Sequence, residues 1–225
     1  MAPTVHCPDK NRVSLPPITA LVLAGGAGTR MGGGKPFRKL HGTYLIEHAL
    51  ANARRNCNAV MIASNENKAD YAAYDCPVIG DVPAPGRGPM AGILAGLQHL
   101  GNDSDWMAVF AVDCPFLPND LVSSLYQAMI APLATPADQT QNPIRAAYAH
   151  YAGRDHFLAS LWHRDMAPAI ATLLDQDQRR VRAALQQANA VKVDFTTREN
   201  DADTARLFAN INTQSDIDQL ETLPI

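Results

Sequence analysis

The chain has 225 residues, with 19 basic and 22 acidic side chains giving a formal net charge of −3. That length fits one domain burying on the order of 70% of its unfolded surface, and the mild, scattered charge excludes broad binding to a nucleic-acid backbone, which needs a basic stripe. The longest apolar run, 18–24 with Thr19 inside it, falls far short of the roughly 20 residues that cross a membrane.

Residues 1–17 hold Pro3, Pro8, Pro16 and Pro17 and no apolar core of a secretion signal, so the expectation is a disordered tail and a cytoplasmic protein. Cys7, Cys57, Cys76 and Cys114 lie far apart with neither metal-ligand nor disulfide-frame spacing, and read as reduced thiols. From residue 18 an apolar run breaks abruptly into glycine, as a buried parallel strand does when it hands the chain to a backbone-lined loop. Glycine lets such a loop turn its peptide N–H groups onto an anion, and Arg30 and Lys35 add positive charge beside it. A Walker A loop fails, because Thr29 and Pro36 stand where Gly and Ser or Thr are required. A dinucleotide fingerprint from Gly26 would put Met31 where a small residue must pack.

Residues 43–50 have the spacing of an amphipathic helix with Thr43 as its cap, and 59–63 form a short buried strand ending in the polar turn 64–67. Strand, helix, strand implies a right-handed crossover and a parallel sheet. A brief strand at 77–81 ends in Asp81, a helix covers 90–100 after Pro89, and the apolar strand 106–112 ends in Asp113. A helix follows to about 129, then a proline-rich loop at 131–143 and a β-hairpin of 145–151 with 157–162. Helices at 167–174 and 181–187, a strand at 190–195 and a last helix at 216–221, capped near Thr213 or Ser215, complete the chain.

Four strands in the first half thus end in candidate ligands: the glycine loop, Asn65, Asp81 and Asp113. In open α/β sheets such ends converge on one crevice. Lys35 and the glycine amides suit phosphates, Asn65 a base or ribose edge, and Asp113 a divalent cation. Asn65 alone also suits a turn cap and Asp81 a turn acid. Asp113 is harder to dismiss, since closing an apolar strand on a carboxylate is costly without a partner. The seven histidines form no triad, and His163 beside Trp162 reads as packing or surface.

The spelling Leu23-Ala24-Gly25-Gly26-x-Gly28-Thr29-Arg30-Met31-Gly32-Gly33-x-Lys35-Pro36, followed in order by Gly88-Pro89-Met90-Ala91-Gly92, Asp113-Cys114-Pro115-Phe116-Leu117-Pro118 and Asn210-Ile211-Asn212-Thr213, resembles the molybdenum cofactor guanylyltransferase (MobA) family. The stretch 162–180, ending in Arg179-Arg180-Val181, is also similar to that family's second half. The first motif alone marks the nucleotidyltransferase superfamily; the ordered set is more specific.

The resemblance implies a Rossmann-like three-layer αβα sandwich with a mostly parallel mixed sheet, formed by one domain at 18–225 with a nucleotide-binding half at 18–130 and an acceptor-binding half at 144–225. It implies GTP and Mo-molybdopterin as substrates, Mg²⁺ as cofactor, and cofactor-insertion and target enzymes as further partners, with docking on 131–143 an open question. Leu23, Ala24 and Gly25 would meet the nucleotide through backbone, Lys35 its phosphates, and Asn65 and Asp81 its base or sugar. Asp113 would hold the metal, and Asn210 and Asn212 would lie near the pterin. Two letters depart from the family: Gly34 stands where Asp usually precedes the lysine, and Glu66 where Arg is common. Alternatives are a cytidylyltransferase or sugar-nucleotide pyrophosphorylase of the same superfamily, or a non-catalytic GTP-binding accessory protein. Ala24-Gly25-Gly26 resembles the guanylyl branch, whereas cytidylyl relatives tend to read Ala-Ala-Gly.

Overall fold

The computed structural model describes residues 14–25, 34–131, 143–196 and 206–223. In chain order its elements are β1 (Ile18–Leu23), a small hairpin of β2 (Lys39–Leu40) and β3 (Thr43–Tyr44), α1 (Leu45–Asn56), β4 (Ala59–Ala63), β5 (Val78–Ile79), α2 (Pro89–His99), β6 (Trp106–Ala111), α3 (Leu121–Ile130), β7 (Ala146–Tyr151), β8 (Arg154–His163), α4 (Ala167–Asp175), α5 (Val181–Gln187), β9 (Val191–Asp194) and α6 (Gln214–Glu221). Short 3₁₀ turns cover Lys35–Phe37, Lys68–Tyr74 and Arg164–Met166. Among the described residues no helix is long and apolar enough to cross a membrane.

The strands β5-β4-β1-β6-β8-β7-β9 form one sheet in that order. All neighbours run parallel except β8, which is antiparallel to both β6 and β7. Period-two alternation divides β1 between two cores: Ile18, Ala20 and Val22 face one, Leu21 and Leu23 the other. The first core takes its cover from α1, α3 and α6, the second from α2, α4 and α5. Helices on both faces make the three-layer sandwich, and explain why the parallel strands carry continuous apolar sequence.

Helix α2 lies unusually close to the sheet. A Cβ added at Gly92 would stand 2.9 Å from Leu23 Cδ2 and 3.4 Å from Asp81 Oδ1, so the absent side chain brings the start of α2 against the ends of β1 and β5.

The expected elements are all present, with shifted bounds. α1 starts one residue later than the Thr43 cap predicts, because Glu47 Oε2 accepts the N–H of Tyr44 at 2.9 Å and Thr43 is paired in β3. The hairpin turn is tighter than expected: Arg154 and Asp155 already pair with Tyr151 and His150, leaving Ala152 and Gly153 as the turn, both at positive φ. Thr213 is the cap of α6, its side chain accepting the N–H of Asp216.

Candidate active site

The chain moves from β1 to β4 to β5 on one side, then returns to place β6 on the other side of β1. In open α/β sheets the connections diverge at such a reversal, and the ligand crevice lies outside the carboxyl ends of the strands there, here β1 and β6. Two groups of polar side chains sit along that edge.

The first is built on Lys35. Its Nζ donates to Asp113 Oδ2 at 3.1 Å and to Asn212 Oδ1 at 3.2 Å. The Lys35 and Asp113 side chains are 17% and 28% exposed, so water screens this ion pair less than one on the open surface. The segment 112–115 around Asp113 is held at three points. Val112 N–H reaches Leu23 O at 3.1 Å, and Ile211 N–H reaches Asp113 O at 2.8 Å. From α1, the buried Asn52 donates to Pro115 O at 2.7 Å.

Asn212 is anchored by α6. Asp216 Oδ2 accepts the backbone N–H of Asn212 at 2.6 Å and of Thr213 at 2.8 Å, while Thr213 Oγ1 accepts the N–H of Asp216, a reciprocal cap that satisfies the helix's first donors. The Asn212 amide first, then Thr213 and the nearby Lys35 charge, hold the Asp216 carboxyl below its ordinary value. A depressed carboxylate pKa favours the folded state above the ordinary value of about 3.9, and this contribution is lost as pH falls through the lower folded value. Just upstream, Phe208 sits at φ 58°, a strained conformation for a bulky residue, held by Tyr151, His156 and Phe195 with ring centroids at 5.2, 4.6 and 5.6 Å. Asn210, exposed two residues before Asn212, is on the same segment; it is Asn212 that meets Lys35.

The second group is Asn65 with Asp81. Asn65 Nδ2 donates to Asp81 Oδ2 at 2.7 Å, and Asp81 N–H donates to Asn65 Oδ1 at 2.9 Å. These reciprocal bonds fix the amide's orientation and leave Asp81 Oδ1 as an acceptor facing the start of α2. Ala24 and Gly25 N–H both reach Ala63 O, at 3.0 and 3.1 Å, and a Cβ at Gly25 would lie 3.9 Å from Asn65 N. Leu23 and Ala24 are buried and Gly25 is exposed, so the end of β1 runs beside the Asn65 pair. The remaining loop letters, 26–33 with Arg30, lie outside the described residues, as do the tail at 1–13, Cys7 and the segment 132–142.

Gly34 precedes the Lys35 turn at φ 63° and ψ 26°. A Cβ there would meet nothing within 4 Å, so its cost is conformational and not steric. Gly34→Ala should destabilise the protein by about 1 kcal/mol and Gly34→Asn by less, because Asn tolerates the left-handed region; urea unfolding of both variants measures the difference.

Other candidates resolve as quiet residues. Cys57, Cys76 and Cys114 are free thiols, and burial pushes Cys57 up to about 12 and Cys114 still higher. Cys114, although next to Asp113, is therefore no nucleophile. His163 packs its ring 4.8 Å from Trp106 at the opposite end of β6 from Asp113.

The family model for the MobA-like NTP transferase domain matches residues 20–191. The chain is 34% identical over 215 residues to a molybdenum cofactor guanylyltransferase of Rhodopseudomonas palustris (strain BisB5), covering 93% of this chain and 95% of that one. It is 38% identical over 206 residues to the protein of the same name from Rhodobacter capsulatus, covering 91% and 95%. The chain belongs to the molybdenum cofactor guanylyltransferase family. It is thus a nucleotidyltransferase, and the family is the one its spelling resembles. The crystal structure of molybdopterin-guanine dinucleotide biosynthesis protein A from Archaeoglobus fulgidus matches with a TM-score of 0.70 at 24% identity, over 91% of this chain and 97% of that one, which supports the fold.

Around this candidate site of the guanylyltransferase-family chain the sequence left several supporting residues unread. Asn52 lies just past the helix expected at 43–50, Ser64 reads only as part of the polar turn 64–67, and Tyr71 carries no motif. Asp216 carried the one usable signal, a Thr-x-x-Asp spacing that matches a capping box.

Proposed function

We propose that this protein transfers GMP from GTP to Mo-molybdopterin, forming the guanine dinucleotide form of the cofactor and releasing pyrophosphate. The observation that carries the reading is the Lys35–Asp113–Asn212 cluster at the β1/β6 edge of a chain from this family. Residues 18–130 hold the nucleotide and 144–225 the acceptor.

A terminal phosphate oxygen of the pterin attacks the α-phosphorus of GTP. The new P–O bond forms as the bond to the β-phosphate oxygen breaks, and pyrophosphate leaves with that electron pair. Such a displacement needs no protein nucleophile; alignment and neutralisation of phosphate charge carry it. Lys35 has three donors, and its compact ammonium acts as a point charge on the phosphates. Leu23, Ala24 and Gly25 meet the nucleotide through backbone. Asn65 and Asp81 meet the guanine, whose N–H donors suit a carboxylate acceptor. Asn210 and Asn212 lie toward the acceptor, with Asn212 keeping Lys35 in place.

Asp113 suits a hard cation such as Mg²⁺, offering a partly exposed carboxylate with one oxygen on Lys35. Asp113, together with phosphate oxygens of the substrate, would hold such a cation. When bound, Mg²⁺ neutralises phosphate charge and polarises the α-phosphoryl group. The product then passes to cofactor-insertion and target enzymes, in keeping with a cytoplasmic location.

Nucleotide-dependent thermal stabilisation tests the substrate choice. With Mg²⁺, GTP at about 100 times its Kd adds about 2.7 kcal/mol of stability and raises Tm above that with CTP, ATP or UTP. A larger shift with CTP would reverse the assignment.

A further inference from the structure

We infer that Tyr71 is a positioning residue for nucleotide selection, joining the Asn65 loop to the Lys35 turn through one buried side chain. This rests on the reading that Asn65 and Asp81 meet the guanine.

Tyr71 is the one buried residue of the Lys68–Tyr74 turn, at 1% exposure, and therefore anchors an otherwise polar connection. Its ring lies 5.3 Å from that of Phe37, two residues beyond Lys35. Its hydroxyl accepts a hydrogen bond from Ser64 Oγ at 3.1 Å, and that same Oγ accepts the N–H of Glu66 at 3.1 Å. The residues on both sides of Asn65 are thus held by one hydroxyl pair. Ser64 N–H reaches Ile79 O at 2.9 Å, which fixes the loop against the strand leading to Asp81. Both side chains are buried, so the Ser64 O–H donor finds its partner in Tyr71 while its oxygen accepts from Glu66. Asn65 is itself exposed and its side-chain bonds run to Asp81, so the Tyr71–Ser64 bond ties the base of the same turn to a buried side chain. Removing the Tyr71 hydroxyl leaves Ser64 Oγ tied only to the Glu66 N–H within the loop itself, so the turn that carries Asn65 loses its side-chain link to the buried ring and the Asn65–Asp81 pair sits less firmly.

Tyr71→Phe keeps the ring on Phe37 and deletes only the hydroxyl. The expected result is a KM for GTP raised about fivefold, the effect of one lost hydrogen bond, with kcat within about twofold. The KM for ITP, which lacks the 2-amino group, moves less, so the preference for GTP over ITP falls. Ser64→Ala, which also removes the acceptor of the Glu66 N–H, should show at least the same loss, and the double variant no more than Ser64→Ala alone, since the two act as one unit. Asp81→Asn is the reference. If Asp81→Asn loses the GTP preference while Tyr71→Phe retains it, the positioning role is overturned and the base reading stands. If Asp81→Asn itself retains the preference, the base reading fails and the role of Tyr71 fails with it. A Tyr71→Phe protein with lowered Tm and equal KM increases for both nucleotides is merely destabilised, which also overturns the proposal.

Discussion

Asp113→Asn should lower kcat/KM for GMP transfer by about a thousandfold while leaving the fold intact, because removing one preorganised electrostatic group from a charge-developing site costs about 3–4 kcal/mol in the transition state. Asn is nearly isosteric, and its carbonyl can still accept from Lys35, so the ion pair becomes a hydrogen bond from the charged ammonium to a neutral oxygen at the same place. Asp113 backbone contacts are unaffected: Ile211 N–H still finds the residue 113 carbonyl, and Asn52 still holds Pro115. The loss should therefore appear in turnover and in the Mg²⁺ concentration needed for half-maximal rate, with Tm shifted by only a few degrees. Steady-state rates across a Mg²⁺ series separate the effects. Near-wild-type turnover in the variant would remove Asp113 from the metal site.

Lys35→Ala is expected to cost about 10²- to 10³-fold in kcat/KM, with GTP affinity weakened as well, since in the proposed reaction the ammonium would meet phosphates both before and during transfer. Here the fold also tolerates the change. The partners left behind, Asp113 and Asn212, are both open enough to be hydrated. Lys35→Arg should recover little. A planar fork cannot reproduce a compact charge seated between a carboxylate and an amide oxygen. Pyrophosphate release by the Ala and Arg variants, measured at saturating and at limiting GTP, shows whether binding or turnover carries the loss. An Arg variant as active as the wild type would assign Lys35 a general charge role without positional demand.

Much of the nucleotide side was legible in the sequence for a physical reason. Buried parallel strands read as unbroken apolar runs, so β1, β4 and β6 declared themselves, and the polar letters after them fell at one sheet edge. The 145–151 and 157–162 runs announced a hairpin, but not that β8 would insert antiparallel between β6 and β7. Strand order depends on long-range packing that periodicity does not encode. The Lys35–Asn212 bond spans 177 residues, and the resemblance supplied Asn212 as a candidate without its lysine partner. Tyr71 was hidden for a different reason: a single buried ring in a 3₁₀ turn leaves no period to detect. Gly34, a missing carboxylate in the spelling, is in the fold a left-handed residue that lets the Lys35 turn begin.

The central claim is the chemistry, and following the α-phosphate tests it most directly. Purified protein is incubated with Mg²⁺, Mo-molybdopterin and GTP labelled at the α-phosphorus, and the products are separated. The account predicts that label moves into a pterin–guanine dinucleotide with one pyrophosphate released per transfer, and that Asp113→Asn abolishes nearly all of it. Label that stays in GTP, or moves equally well from α-labelled CTP, would contradict guanylyl transfer by this site.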